Sequence, residues 1–168
     1  MNKTEFPKRI NLRLEHYDYS QNGGYFVTVC TYERSRVFGE IVGNVVGAHL
    51  CVRPNEPDKI VPKWLFEIEN KYPGTKIDCY IVMPDHVHFI VMKTGAHTGA
   101  PLQQIVKWFK TQTTNEYIKG VKHEKYPPFE KHLWQRGYYE HIIRNQQDLD
   151  EIRRYIENNP AKWVLEGK

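Results

Sequence analysis

Tyr80-Ile81-Val82-Met83-Pro84-Asp85-His86-Val87-His88-Phe89-Ile90-Val91-Met92 is an apolar run broken by Asp85, His86 and His88. On a strand successive side chains point to opposite faces, so His86 and His88 share one face while Val87 and Phe89 take the other. Apolar flanks of this kind mark a central strand buried on both faces, where an unpartnered polar ring costs free energy. The two histidines therefore need partners. Hydrogen bonding inside the core is one reason for them; a metal ion held by the two imidazoles, with Asp85 beside them, is the other. The spacing leaves both open and identifies no metal.

Working outward, Pro84-Asp85 is so short a turn that the strand before it, Thr75 to Met83, must return antiparallel as the histidine strand, which runs to Met92. Upstream, Tyr25 to Tyr32 follows Asn22-Gly23-Gly24 and is rich in β-branched and aromatic residues, which predicts another core strand. Gly39, Gly43 and Gly47 among valines and isoleucines predict a short hairpin within Phe38 to Val52, turning at Gly43-Asn44. Trp64, Leu65 and Ile68 recur at helical spacing over Pro62 to Tyr72, and Pro73-Gly74 stops that helix. Downstream, Pro101 opens a helix over 101–119 whose apolar stripe is Leu102, Ile105, Val106 and Phe109. Gly120 to Glu130 reads as a loop.

Trp134 to Asn145 predicts a strand ending in a helix cap. Asn145 and Asp148 have N-cap spacing, and Leu149, Ile152 and Ile156 face the core from a helix that runs to Asn158, with Pro160 preventing continuation. Without the hairpin and this last helix the order is βαββαβ, the ferredoxin-like arrangement: an α+β fold on an antiparallel sheet.

A chain of 168 residues is expected to form one domain over 1–168. Residues 1–22 read as a solvated tail, a basic arm or a short edge strand, with Lys3, Lys8, Arg9 and Arg13 set among Ile10, Leu12 and Leu14. A formal charge of +4 with basic residues interleaved among aromatics suits a nucleic-acid surface without requiring one. Cys30, Cys51 and Cys79 are odd in number and widely spaced, which argues against a disulfide framework or zinc ribbon and for core residues in a reducing compartment. No stretch resembles a signal peptide or a membrane span, so the expected location is cytoplasmic, with no membrane partner.

Pro84-Asp85-His86-Val87-His88 resembles the HUH motif of single-tyrosine transposases. Three further segments follow in order: Trp134-Gln135, His141-Ile142-Ile143-Arg144-Asn145 and Tyr155-Ile156-Glu157-Asn158-Asn159-Pro160. Together they are similar to the REP-associated branch, which has Asn before Pro where the insertion-sequence branch has Gln. The resemblance spans Tyr25 to Trp163. By residue pattern alone, Tyr155 is one tyrosine near an apolar stripe, with Tyr117, Tyr138 and Tyr139 as competitors. Tyr155 and Asn159 are four apart, so phenol and amide share one side of the helix end.

The resemblance implies that Tyr155 is the nucleophile and that His86, His88 and Asn159 hold a divalent ion, magnesium or manganese. The implied activity is a metal-dependent transesterification that cleaves and rejoins single-stranded or hairpin DNA through a 5′-phosphotyrosine, by a monomer or homodimer. Lys107, Lys110, Arg136, Arg144, Arg153 and Arg154 are candidates for backbone contacts, and Trp108 and Trp134 for base stacking. Two other readings compete. One is a non-catalytic single-strand-binding ferredoxin-like module, which gives no reason for paired histidines on a central strand. The other is a metal-dependent nuclease that uses water.

Overall fold

A computed structural model describes residues 17–42, 51–54, 56–95 and 100–165. The elements in chain order are β1 (Gly23–Cys30), β2 (Gly39–Val42), β3 (Cys51–Pro54), α1 (Ile60–Lys71), β4 (Thr75–Met83), β5 (His86–Lys93), α2 (Leu102–Lys122), β6 (Tyr139–Ile143), α3 (Gln146–Glu157) and α4 (Asn159–Leu165). Four strands form an antiparallel sheet in the order β4-β5-β1-β6. Counting only these strands with α1 and α2, the order is βαββαβ and the histidine strand is central, as the sequence predicts. β2 and β3 form a separate antiparallel pair from Gly39↔Pro54 to Val42↔Cys51. The turn expected at Gly43-Asn44 lies outside the described residues, as does the 1–16 portion of the expected arm. Residues 17–22 are not a free arm, since Tyr19 is buried and Tyr17 packs against it with ring centroids 4.9 Å apart.

Strand alternation separates two layers. Tyr25, Val27 and Val29 of β1 and Val87, Phe89 and Val91 of β5 point to one face and pack against α1 and α2 through Leu65, Ile68, Leu102, Ile105 and Phe109. Phe26 and Ile90 point to the other face and meet Leu149 and Ile156 of α3. His86 and His88 lie on this second face, paired across the strands with Cys30 and Thr28. No helix of the described residues is long and apolar enough to cross a membrane.

Two segments depart from the sequence reading. β6 begins only at Tyr139; Trp134 makes an isolated bridge to Thr31. The carbonyls of Gln135, Arg136 and Gly137 turn instead to the ammonium of Lys110, at 2.5, 3.2 and 3.2 Å. α3 stops at Glu157, ahead of Pro160 as expected, but a further helix that the sequence reading lacks, α4, starts at Asn159 with Pro160 in its first turn, where a missing N–H costs nothing. The expected cap is present, Asn145 Oδ1 accepting from the Asp148 N–H at 2.9 Å.

Candidate active site

Because β1 and β5 pair at Thr28↔His88 and Cys30↔His86, the polar positions of both strands fall together at one end of the α3 face. α3 crosses this face and delivers Tyr155, and α4 turns back with Asn159, Lys162 and Trp163. The result is a cleft of about 650 Å³ lined by Phe26, Thr28, Cys30, Arg34, Asp85, His86, His88, Tyr139, Tyr155, Asn159, Lys162 and Trp163.

Each histidine is oriented by a second group. Asp85 Oδ1 accepts from His86 Nδ1 at 2.5 Å, and Thr28 Oγ1 lies 2.8 Å from His88 Nδ1. Asp85 is itself fixed, its carbonyl accepting from the Thr31 N–H and hydroxyl, both at 2.9 Å. With His86 Nδ1 donating, its Nε2 presents a lone pair, and it faces His88 Nε2 at 3.0 Å. Two ring nitrogens at that distance require a proton or a cation between them. Burial, with His86 and Arg34 adding to it, pushes His88 down to about 3, so its ring is neutral near neutral pH.

The facing Nε2 atoms, 3.0 Å apart, could both bind one divalent ion. The carboxylate behind His86 and the hydroxyl behind His88 are the outer-shell partners that fix tautomer and ring direction at metal sites. No group of three His, Cys, Asp or Glu side chains suited to a metal occurs among the described residues. Further ligands would therefore be the Asn159 amide oxygen, on a residue that is itself buried, and water.

Tyr155 is 40% exposed, and its ring stands edge-on to His88 at 5.3 Å and to Phe26 at 5.9 Å. The structure thus brings together Tyr155, His86, His88 and Asn159. Of the competing tyrosines, Tyr139 lines the cleft as well, Tyr138 packs against the larger core, and Tyr117 is fully buried with its hydroxyl donating to the Pro127 carbonyl.

The expected DNA contacts lie in different surroundings. Trp134 is 5% exposed, stacks on Phe38 at 5.0 Å and donates its indole N–H to Thr113. Trp108 packs between Trp64 and Tyr72, at 5.6 and 6.0 Å, across the sheet from the cleft. Lys110 is committed to its three carbonyls. Arg153 makes a bidentate pair with Asp78 at 2.6 and 2.9 Å. Lys107, Arg136, Arg144 and Arg154 are exposed; Lys107 and Arg136 line a groove beside α2 rather than the cleft.

Thr28, Arg34, Lys162 and Trp163 escaped the sequence reading. Alternation of Phe26, Thr28 and Cys30 with Val27 and Val29 put Thr28 on a defined face, but strand register, which alignment of hydrophobic residues does not supply, puts it beside His88. Cys30, expected in the core, lines the cleft instead.

The family model described as "Transposase IS200 like" matches residues 24–159. An uncharacterised protein of Haemophilus influenzae is 30% identical over 167 residues, 92% of this chain and 89% of that protein. Another protein of that organism, named "Putative REP-associated tyrosine transposase", is 23% identical over 86% of this chain and 74% of its own length. Among solved structures, a REP-associated tyrosine transposase bound to a REP hairpin superposes with a TM-score of 0.63 at 21% identity, covering 89% of this chain and 73% of that one. That similarity shows a shared fold.

Proposed function

This chain belongs to the IS200-like transposase family, and from that premise we propose that it is a DNA strand transferase of the REP-associated type, acting as one catalytic domain with Tyr155 as nucleophile. The observation that carries the reading is the convergence of the Tyr155 ring, the facing Nε2 atoms of His86 and His88, and Asn159 in one cleft. A buried, hydrogen-bonded histidine pair with no nucleophile nearby would have favoured a structural role.

A divalent ion, magnesium or manganese, held by His86, His88 and Asn159 would supply Lewis acidity and charge neutralisation at the scissile phosphate. The chain's own groups do the rest. Asp85 and Thr28 hold the two imidazoles in the tautomer that leaves both Nε2 atoms free. Trp163, 5.7 Å from the His86 ring, walls that side from water. The Tyr155 oxygen bonds to phosphorus as the P–O3′ bond breaks, leaving a 5′-phosphotyrosine and a free 3′-hydroxyl. The phenolic proton passes to solvent, and the departing oxygen takes one from solvent. Attack of a 3′-hydroxyl on the phosphotyrosine reverses the step and rejoins DNA, so the bond is exchanged without ATP. Single-stranded or hairpin DNA suits a phosphate seated between strand and helix, where a phosphate in regular duplex is hard to seat.

The test uses hairpin DNA pools labelled at either end, with manganese or magnesium, resolved on a denaturing gel. The 3′-labelled fragment should become attached to protein, and Tyr155→Phe and His86→Ala should each abolish attachment. Cutting without attachment would favour the water-using nuclease, and EDTA-insensitive binding without cutting would favour the plain binding module.

A further inference from the structure

The mechanism above leaves unused two cations that the cleft itself presents. Arg34 enters from the short 3₁₀ turn Tyr32–Arg34, where Glu33 (φ 51°) and Arg34 (φ 57°) are consecutive non-glycine residues in the left-handed region. Side chains with a Cβ are strained in this region. A turn of this kind persists only where its surroundings over-determine it. Here Thr31 donates its hydroxyl to the Ser35 carbonyl at 2.8 Å as well as to Asp85, Tyr32 N–H donates to the Leu133 carbonyl at 3.0 Å, and Ser35 N–H donates back to Tyr32 at 3.1 Å. The turn aims Arg34 at Asp85, which it reaches at 3.5 Å with its side chain still 55% exposed. From the opposite wall, Lys162 of α4 sets its ammonium 4.9 Å from the centre of the Tyr155 ring. The only carboxylate in the described lining is Asp85, and His86 already occupies it.

We propose that Arg34 and Lys162 form a two-sided clamp for the scissile phosphodiester, Arg34 on the His86 side and Lys162 on the Tyr155 side. The proposal rests on the transferase reading and names the groups that seat its substrate. A diester carries one negative charge, and attack spreads further charge over its equatorial and leaving oxygens, which fixed cations on both sides stabilise. Arg34 offers a planar fork of donors, of which Asp85 uses one, and Lys162 offers a point charge. Cation–π contact with Lys162 also holds the Tyr155 ring in place before substrate arrives.

Binding and chemistry are measured separately. In EDTA, on the full chain carrying Tyr155→Phe, a fluorescent hairpin-DNA pool is titrated at several sodium chloride concentrations. Arg34→Gln and Lys162→Gln should each reduce the slope of log K against log salt, and the double variant should reduce it by about 0.7 in all, the share of one phosphate. Arg34→Lys and Lys162→Arg should keep the slope, as should Lys71→Gln on α1 across the sheet. With Tyr155 intact and manganese present, each neutral variant should form adduct about 10–100-fold more slowly. Unchanged slopes with adduct rates within about two-fold of wild type overturn the clamp while leaving Tyr155 chemistry standing. Adduct that survives Tyr155→Phe, or DNA that is bound and never joined by the wild type, overturns the transferase reading and the clamp with it.

Discussion

The two faces of the sheet are packed to different ends. Against α1 and α2 lies a continuous core in which Phe89 meets Phe109 at 5.5 Å and Phe38 stacks on Trp134 at 5.0 Å. Against α3 the buried apolar set is Phe26, Ile90, Leu149 and Ile156, and beyond it the same face becomes the polar cleft. One face therefore buries the larger apolar cluster, and the other combines a smaller one with buried histidines and an exposed tyrosine. Phe89→Ala should cost about 3–5 kcal/mol, and Leu149→Ala about 2–3 kcal/mol, read from denaturant midpoints. The sharper contrast is in amide exchange: Leu149→Ala should speed exchange in α3 and spare α2. Equal acceleration in both helices would break the comparison and make α3 an integral part of one cooperative core.

The two faces should also set the pH dependence of stability in different windows. On the cleft face, burial pushes His88 down to about 3, well below the ordinary histidine value of about 6.5. Between those values the unfolded chain binds the proton more readily, so stability present above pH 6.5 is lost as pH falls toward 3. On the other face, burial pushes Lys110 down to about 8. There the unfolded chain holds its proton up to an ordinary lysine value of about 10.4, so stability rises with pH from 8 toward 10. Lys93, lowered chiefly by burial as its ammonium serves the Tyr19, Ser20 and Ala100 carbonyls, adds to that rise. Tyr117, pushed up to about 12, opposes it only above pH 10. In melting temperatures measured from pH 4 to 10, His88→Phe should flatten the acid limb alone. Lys110→Met should reduce the alkaline limb and lower stability throughout by about 1–3 kcal/mol, for the carbonyls left unpaired. An unchanged acid limb in His88→Phe would mean that another group governs acid unfolding.

Periodicity made the packed face readable and left the cleft face half hidden. Alternation around His86 and His88, the helical stripe Leu102-Ile105-Val106-Phe109, and Asn145 ahead of Asp148 are local signals, and the strands, α2 and the α3 cap follow them. A large ring such as Trp134 or Trp108 has the same composition signal inside or outside, and only the packing around it decides which. The acceptors of Lys110 are backbone carbonyls from Gln135, Arg136 and Gly137, invisible in residue types. Arg34 depends on a left-handed turn at two non-glycine residues, and Lys162 on a helix that restarts through Pro160. No sequence period reports either of these.

The smallest expected effect concerns how α3 is tied down. β4 pairs with β5 at Ile77↔Val91 and again at Tyr80↔Phe89, so Asp78 and Cys79 together oppose Ile90. This one-residue bulge turns Asp78 toward α3, where Arg153 grips it with two bonds at 2.6 and 2.9 Å, while Cys79 packs against the small core. The Arg153 side chain is 38% exposed, and solvent screens the pair, so Arg153→Met should cost under about 1 kcal/mol. The same change separates the two roles assigned to this residue. If Arg153 serves only to hold α3 on the bulge, the variant should speed amide exchange in α3, more so at low salt, and leave the salt slope of hairpin binding unchanged. A slope reduced by about 0.7 would return Arg153 to the DNA and make the Asp78 pair a resting position that substrate displaces.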